Sequence, residues 1–305
     1  MSEMINSGVA FYDRTAWGRI TVSDADRLNF LHNQSTNTFK LRKPGEGCDT
    51  VFLTSTARTI DLVTAYILED SVLLLVSPGM SEKIIAFLDR YIFFADKVKL
   101  ADVTEQTAAF SLLSAKSHDI VKALGAETLI NQPYGTHCLV DQVRIAAGSG
   151  LSTEGYTLIC DRDFNLKQKL IDLGVTEIDD STWNALRIEQ GRPLPGTELT
   201  EDYNPLEAGL WHTISFNKGC YIGQETIARL DTYNGVKQQL WGVKLNQSVE
   251  PGTPVKIEDE KVGIITSVTG SIGLAYIRTK AGGAGLNVDL GEIVEVPYLT
   301  HEKQA

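Results

Sequence analysis

The residue types with chemical reach concentrate between Trp183 and Arg229. Cys220 stands in the run Lys218-Gly219-Cys220-Tyr221-Ile222-Gly223-Gln224-Glu225, between two glycines and two residues after a lysine. Glycine lets the backbone turn tightly, and a nearby cation favours the thiolate, the form that does nucleophilic work. The competing reading is burial, since free cysteine is among the most buried residue types. Cys48, Cys138 and Cys160 sit in or beside strand-like runs and read as core.

Glu189 follows Arg187 at the end of a helical pattern begun by Asp180 and Ser181 and closed by Gly191 and Pro193. A carboxylate opposes the helix dipole there, so it needs another reason for its place. It can accept two hydrogen bonds from the amino and ring N–H groups of a ligand, or it can pair with Arg187 or Arg192. Asp61 interrupts the apolar run Ile60-Asp61-Leu62-Val63; it must face solvent or be paired, and solvent is the default expectation. Trp17 and Trp183 each begin an element, as packing residues with a satisfied N–H or as platforms for a flat heterocycle.

Other chemistries lack their residues. His32, His118, His137, His212 and His301 show no metal-ligand spacing, and neither a phosphate-binding lysine loop nor a serine nucleophile elbow occurs. Gly282-Gly283-Ala284-Gly285 lacks the strand and helix context of a dinucleotide site and reads as a loop between strands. No metal is expected.

These residues need a scaffold. Strands are expected at Trp17 to Val22, Thr50 to Leu53, Thr59 to Leu68, Val72 to Val76, Val98 to Val103, Ala108 to Leu113, Cys138 to Ala146 and Tyr156 to Cys160. Helices are expected through Leu28 and Leu31, over Ser81 to Tyr91, Ser117 to Leu124 and Phe164 to Leu173. Ser23-Asp24-Ala25-Asp26 reads as a capping box before the first helix, and Asn33 to Asn37 as cap and turn chemistry. Strands and helices mix without regular βαβ alternation, so the fold class is α+β. Beyond Tyr233-Asn234-Gly235, short β-prone runs separated by turn signals predict a small barrel from about residue 236.

The chain of 305 residues is long for one core, with hydrophobic and charged contents of 43% and 22% that suit a soluble globular protein. No apolar run approaches a membrane span, and the N-terminal segment lacks a signal-peptide core. A net charge of -11 argues against general nucleic-acid binding. Four widely spaced cysteines without a C-x-x-C pair fit a reducing compartment, the cytoplasm or an organellar matrix or stroma.

The run from Lys218 to Glu225, closing with Ala228-Arg229, resembles the signature of the YgfZ family of folate-binding proteins, related to the T-protein (aminomethyltransferase) of the glycine cleavage system. Trp183 to Glu189 with Gly191, the run Pro205-Leu206-Glu207-Ala208-Gly209-Leu210, and Ile20 to Leu31 with Gln34 and Thr36 extend the resemblance from about Trp17 to Gly242. It implies three domains in a ring around a folate channel: 1–95 with 180–235, 96–179, and a C-terminal barrel over 236–305. It implies tetrahydrofolate or a one-carbon derivative as cofactor, and iron-sulfur enzymes or cluster-assembly proteins as partners. Trp17 and Trp183 fall on folate-contacting tryptophans of bacterial members, and Glu189 on the T-protein's pterin-recognising glutamate. Lys218 and Arg229 are the cations of this site, Arg229 meeting the carboxylates of a glutamyl tail.

One departure separates the two branches. The T-protein has two aspartates after a glycine pair where this chain has Ala57-Arg58-Thr59-Ile60-Asp61-Leu62. That points away from aminomethyl transfer and toward a folate-dependent accessory protein for iron-sulfur enzymes with Cys220 as its thiol. The alternatives are an aminomethyltransferase positioned by Asp61 and a non-enzymatic folate-sensing scaffold. A single cysteine cannot hold a cluster, which usually needs four ligands.

Overall fold

The computed structural model describes residues 8–303. The chain divides into two compact units, one made of the residues up to Thr50 with Val63–Trp183, the other of Val51–Leu62 with the residues from Asn184 onward. The strands Gly47–Leu53 and Thr59–Ile67 run across both divisions.

The first unit is built on two sheets. In one, Ala10–Asp13 pairs parallel with Thr176–Ile178 and antiparallel with Thr107–Leu113, and the order continues through Gly155–Asp161, Val143–Ala147 and His137–Val140. Its inward residues, among them Phe11, Phe110, Leu112 and Leu158, pack with Ile120, Val121, Leu166 and Leu170 from the helices Ser117–Ala123 and Leu166–Asp172. The other sheet has the order Gly47–Leu53, Thr59–Ile67, Ser71–Val76, Gly18–Ser23, Lys99–Asp102. Every residue of Thr59–Ile67 is buried, as in a strand covered on both faces.

In the second unit the helix Gln224–Thr232 precedes a six-stranded sheet, ordered Pro254–Ile257, Glu260–Thr269, Ile272–Arg278, Gln238–Leu245, Gly291–Val294, Asn287–Val288. Its two edges meet where the Lys256 amide donates to Asp289 Oδ1 (2.8 Å) and the Asp289 amide donates to the Lys256 carbonyl (2.9 Å). The sheet therefore closes almost into a barrel, filled by Val243, Val255, Ile265, Ala275, Ile277 and Ile293. The fold class is α+β, with a barrel-like sheet at the C-terminal end of the chain.

Two expectations change, and one strand was not foreseen. Cys138 to Ala146 is a hairpin, His137–Val140 against Val143–Ala147, because Asp141 turns the chain with a left-handed backbone (φ 51°). The helix Arg27–Gln34 carries no capping box: Asp26 Oδ2 accepts from the distant Lys97 amide (2.9 Å). Thr176–Ile178, too short to show a period, is a strand held by its parallel partner. Asn33 to Asn37 does act in turn chemistry, with Ser35 Oγ donating to the Leu31 carbonyl and Asn37 Nδ2 to the Asp49 carbonyl.

Candidate functional site

In the first unit the two tryptophans meet. Trp17 lies edge-on to Trp183, ring centroids 6.2 Å apart at 88°, and Trp183 stacks on Tyr12 at 4.4 Å and 11°. The Arg14 guanidinium lies 3.8 Å from the Trp17 ring centroid, a cation–π contact. The Tyr12 hydroxyl donates to Asp180 Oδ1 (2.9 Å), and burial together with that carboxylate holds its pKa well above the usual phenol range. Beneath Trp17, the Arg19 side chain, 0% exposed, donates to the carbonyls of Trp17, Thr15, Thr104 and Thr107 and to Thr107 Oγ1. Burial pulls its pKa down to about 10. With Trp17 1% and Trp183 4% exposed, both indoles have protein groups as their stacking partners.

The rest of the candidate residues belong to the second unit. Glu189 is half-buried one residue from the end of the helix Asp180–Gln190. Neither arginine expected to neutralise it does so. Arg187 points to a buried pair with Glu198, Nη1 to Oε2 at 3.0 Å, and to Ser267 Oγ at 2.9 Å. Glu198 is completed by Thr197 Oγ1, the Leu194 amide and Ser267 Oγ, so this network fastens the Pro193–Leu199 loop to a barrel strand. Arg192 is buried and lies toward the Tyr298 ring at 5.9 Å. The Glu189 carboxylate makes no hydrogen bond or ion pair among the described residues, so a charge in an unfavourable place on the helix dipole is left with its acceptors available.

Asp61 does not face solvent. It is 0% exposed in the strand Thr59–Ile67 and engaged within the fold. The apolar residues around it already placed this strand inside, and an alternating polar face was the wrong period to expect. The turn before it is clasped on one side: the Thr59 amide donates to the Tyr203 carbonyl (3.0 Å), Arg58 Nη1 donates to the Asp202 carbonyl (2.8 Å), and Arg58 approaches Glu207 Oε2 at 3.8 Å. Asn204 and Glu207 form a reciprocal cap, Asn204 Oδ1 accepting from the Glu207 amide and Glu207 Oε2 from the Asn204 amide. Burial raises the Glu207 pKa, opposed by that amide and by Arg58.

Cys220 is exposed, whereas Cys48 and Cys160 are buried and Cys138 is half-buried against the core of the first unit. The Lys218 ammonium lies 4.6 Å from the centroid of the Tyr221 ring. After Cys220 the chain enters the helix Gln224–Thr232 through Gly223, whose φ of 81° is left-handed. A Cβ at Gly223 would lie 3.0 Å from Ala57 Cα and 3.1 Å from the Thr54 carbonyl oxygen, so the signature's second glycine lets the turn before Asp61 pack against it. Arg229 is exposed in the last turn of that helix.

The neighbours of these residues share one core. Leu62 beside Asp61, Ile188 beside Glu189, and Tyr221 and Ile227 of the signature segment pack with Leu206, Leu210, Tyr276 and Leu299. The segments are thus gathered, and no hydrogen bond or ion pair joins the side chains of Asp61, Glu189, Cys220 and Arg229 among the described residues. Sequence reasoning missed Tyr12, Arg14 and Arg19, and the sole signal for Arg19 was a charge inside the alternating strand Gly18–Ser23.

This architecture has a close structural counterpart. The glycine cleavage system aminomethyltransferase T of Bartonella henselae superposes with a TM-score of 0.84 at 16% identity, covering 98% of this chain and 88% of that one. The fold is therefore the T-protein fold. At the level of sequence, residues 2–218 match the GCVT N-terminal domain and residues 238–297 the CAF17 C-terminal beta-barrel domain. The chain belongs to the YgfZ/CAF17 family of T-protein-like proteins. A chloroplastic protein of Arabidopsis thaliana, provisionally named a transferase, is 44% identical over 98% of this chain and 73% of its own length. The aminomethyltransferase of Halalkalibacterium halodurans is 28% identical over 94% of this chain and 83% of its own.

Proposed function

We propose that this chain is a tetrahydrofolate-binding accessory protein that supports assembly or repair of iron-sulfur enzymes, with Cys220 as its working thiol. Glu189 carries the reading. A half-buried carboxylate without an internal partner suits a flat heterocycle that offers an amino group and a ring N–H side by side. Arg229, exposed nearby in sequence to Cys220, suits the carboxylates of a glutamyl tail, and Lys218 supplies a second cation. Trp17 and Trp183 are assigned to folate by the family resemblance; being buried, they would act by fixing the shape of their surroundings. The chloroplast address of the Arabidopsis relative supports an organellar stroma as the working compartment. No helix among the described residues is long and apolar enough to cross a membrane.

Aminomethyl transfer is the second reading, favoured by the names of relatives such as the Halalkalibacterium halodurans enzyme and requiring Asp61 as the positioning carboxylate. A folate-sensing scaffold without catalysis is the third. Calorimetric titration with tetrahydrofolate and its 5,10-methylene and 5-formyl forms tests the folate site that all three share. Wild type is expected to bind near micromolar, about 8 kcal/mol, Cys220→Ser equally well, and Glu189→Gln roughly tenfold or more weakly for loss of a charge-assisted pair. Unchanged affinity in Glu189→Gln would sink the site. Full complementation of an iron-sulfur enzyme defect by Cys220→Ser would leave the scaffold reading, and folate-dependent ammonia release from an aminomethyl-lipoyl carrier, abolished by Asp61→Asn, would establish the transferase.

A further inference from the structure

The segment bearing Cys220 begins at Phe216 and ends in the helix Gln224–Thr232, and both ends are touched by a residue more than seventy positions later. Lys303 Nζ lies 2.5 Å from Asp231 Oδ2 and 4.3 Å from the centroid of the Phe216 ring. An ion pair and a cation–π contact thus converge on one ammonium, at the entry of the loop and in the last turn of the helix that follows it. Phe216 in turn leans on Trp211, centroids 5.9 Å apart.

The lysine arrives on a strap that is fixed at each step. The Tyr298 amide donates to the carbonyl of Gln190, the residue after Glu189, at 2.8 Å. The Thr300 amide donates to the Gly209 carbonyl (2.8 Å), and Thr300 Oγ1 accepts from the His212 amide (3.1 Å). His301 stacks on Trp241 at 3.7 Å and 13°, with Nε2 2.8 Å from the Leu240 carbonyl. Hollows flank its end: one of 280 Å³ beside Trp211, His212 and Phe216, another of 460 Å³ beside Asp231, Gln239 and His301, and Lys303 lines both. Loop and strap share apolar packing through Phe216, Tyr221, Tyr298 and Leu299, and beside the two hollows the ammonium adds a polar tie between them.

We infer that Lys303 is a positioning residue for the Cys220 loop, and that the strap Tyr298–Lys303 ties that loop to the helix end that carries Glu189. The inference deepens the proposed role of Cys220, but its first readout needs neither folate nor thiol chemistry. Amide hydrogen exchange of residues 216–223 is compared in wild type, Lys303→Met, Asp231→Asn, the double variant and Lys303→Arg. Lys303→Met is expected to speed exchange roughly five- to tenfold, the size of one exposed ion pair plus one cation–π contact. Asp231→Asn should do part of this, the double variant no more than Lys303→Met, and Lys303→Arg should restore the wild-type rate. The alkylation rate of Cys220 by iodoacetamide should change in the same variants and recover with Lys303→Arg. Exchange in 216–223 that stays at the wild-type rate while residues 298–303 fray would overturn the inference, as would additive effects of the two substitutions.

Discussion

The indole cluster of the first unit and the signature loop of the second were both expected to touch a ligand, and they are built in opposite ways. Around Trp17 every face is taken: Arg14 lies on the ring, Trp183 meets it edge-on, and Arg19 holds its carbonyl. Around Cys220 the thiol is exposed, the adjacent turn depends on a left-handed glycine, and Lys218, two residues before it, lies against a tyrosine ring. Buried aromatic residues fix the shape of their surroundings, whereas an exposed thiol is held by a few polar contacts. Stability and chemistry are therefore separable here by mutation.

The largest effect expected falls on the filled side. Trp17→Ala should cost about 3–5 kcal/mol, the range for deleting a fully buried aromatic, read as the shift of a urea midpoint. A loss below 1 kcal/mol would show that the cluster is not the packed unit described. Acid should attack the same unit next. His137, 5% exposed, has its pKa pulled down to about 4 by burial and by Arg144, whose Nη1 lies 2.9 Å from His137 Nδ1. Because the unfolded chain binds this proton more readily, stability is complete above the ordinary histidine pKa and is lost as pH falls from about 6.5 toward 4, by about 3 kcal/mol at most. His137→Gln should flatten that slope, and an unchanged slope would assign the acid sensitivity to other groups.

On the loop side the effects are smaller. Gly223→Ala should cost about 2 kcal/mol, combining a left-handed backbone with crowding against Ala57. The same variant should perturb the turn at Thr54–Arg58, visible as faster amide exchange there. Cys220→Ser should change stability by less than about 0.5 kcal/mol, as for other exposed positions. A large loss in Cys220→Ser would mean that the thiol is structural, and the contrast between the two regions would collapse.

The sequence carried more of the scaffold than of the site. Long periodic runs such as Thr59–Ile67 and Ser81–Asp89 announced themselves, since their burial follows from apolar spacing. Elements fixed by long-range partners did not. Thr176–Ile178 exists because Ala10–Tyr12 pairs with it, and the turn at Asp141 depends on a backbone conformation that residue type permits without demanding. At the site, Glu189 was legible as a carboxylate on the wrong end of a helix, but its freedom from Arg187 became visible only through Glu198, eleven residues on. Asp61 misled for the converse reason: polarity argued for water, while its strand is covered on both sides.

The placement of the tryptophans has an optical consequence. Of the four in the chain, Trp17 and Trp183 belong to the first unit, Trp211 and Trp241 to the second. Their surroundings differ enough to colour the emission separately, with Trp241 lying under the His301 imidazole, whose protonated form would quench it. Replacing either pair by phenylalanine would leave a molecule whose remaining fluorescence reports on one half at a time, so the unfolding of each could be followed by light alone.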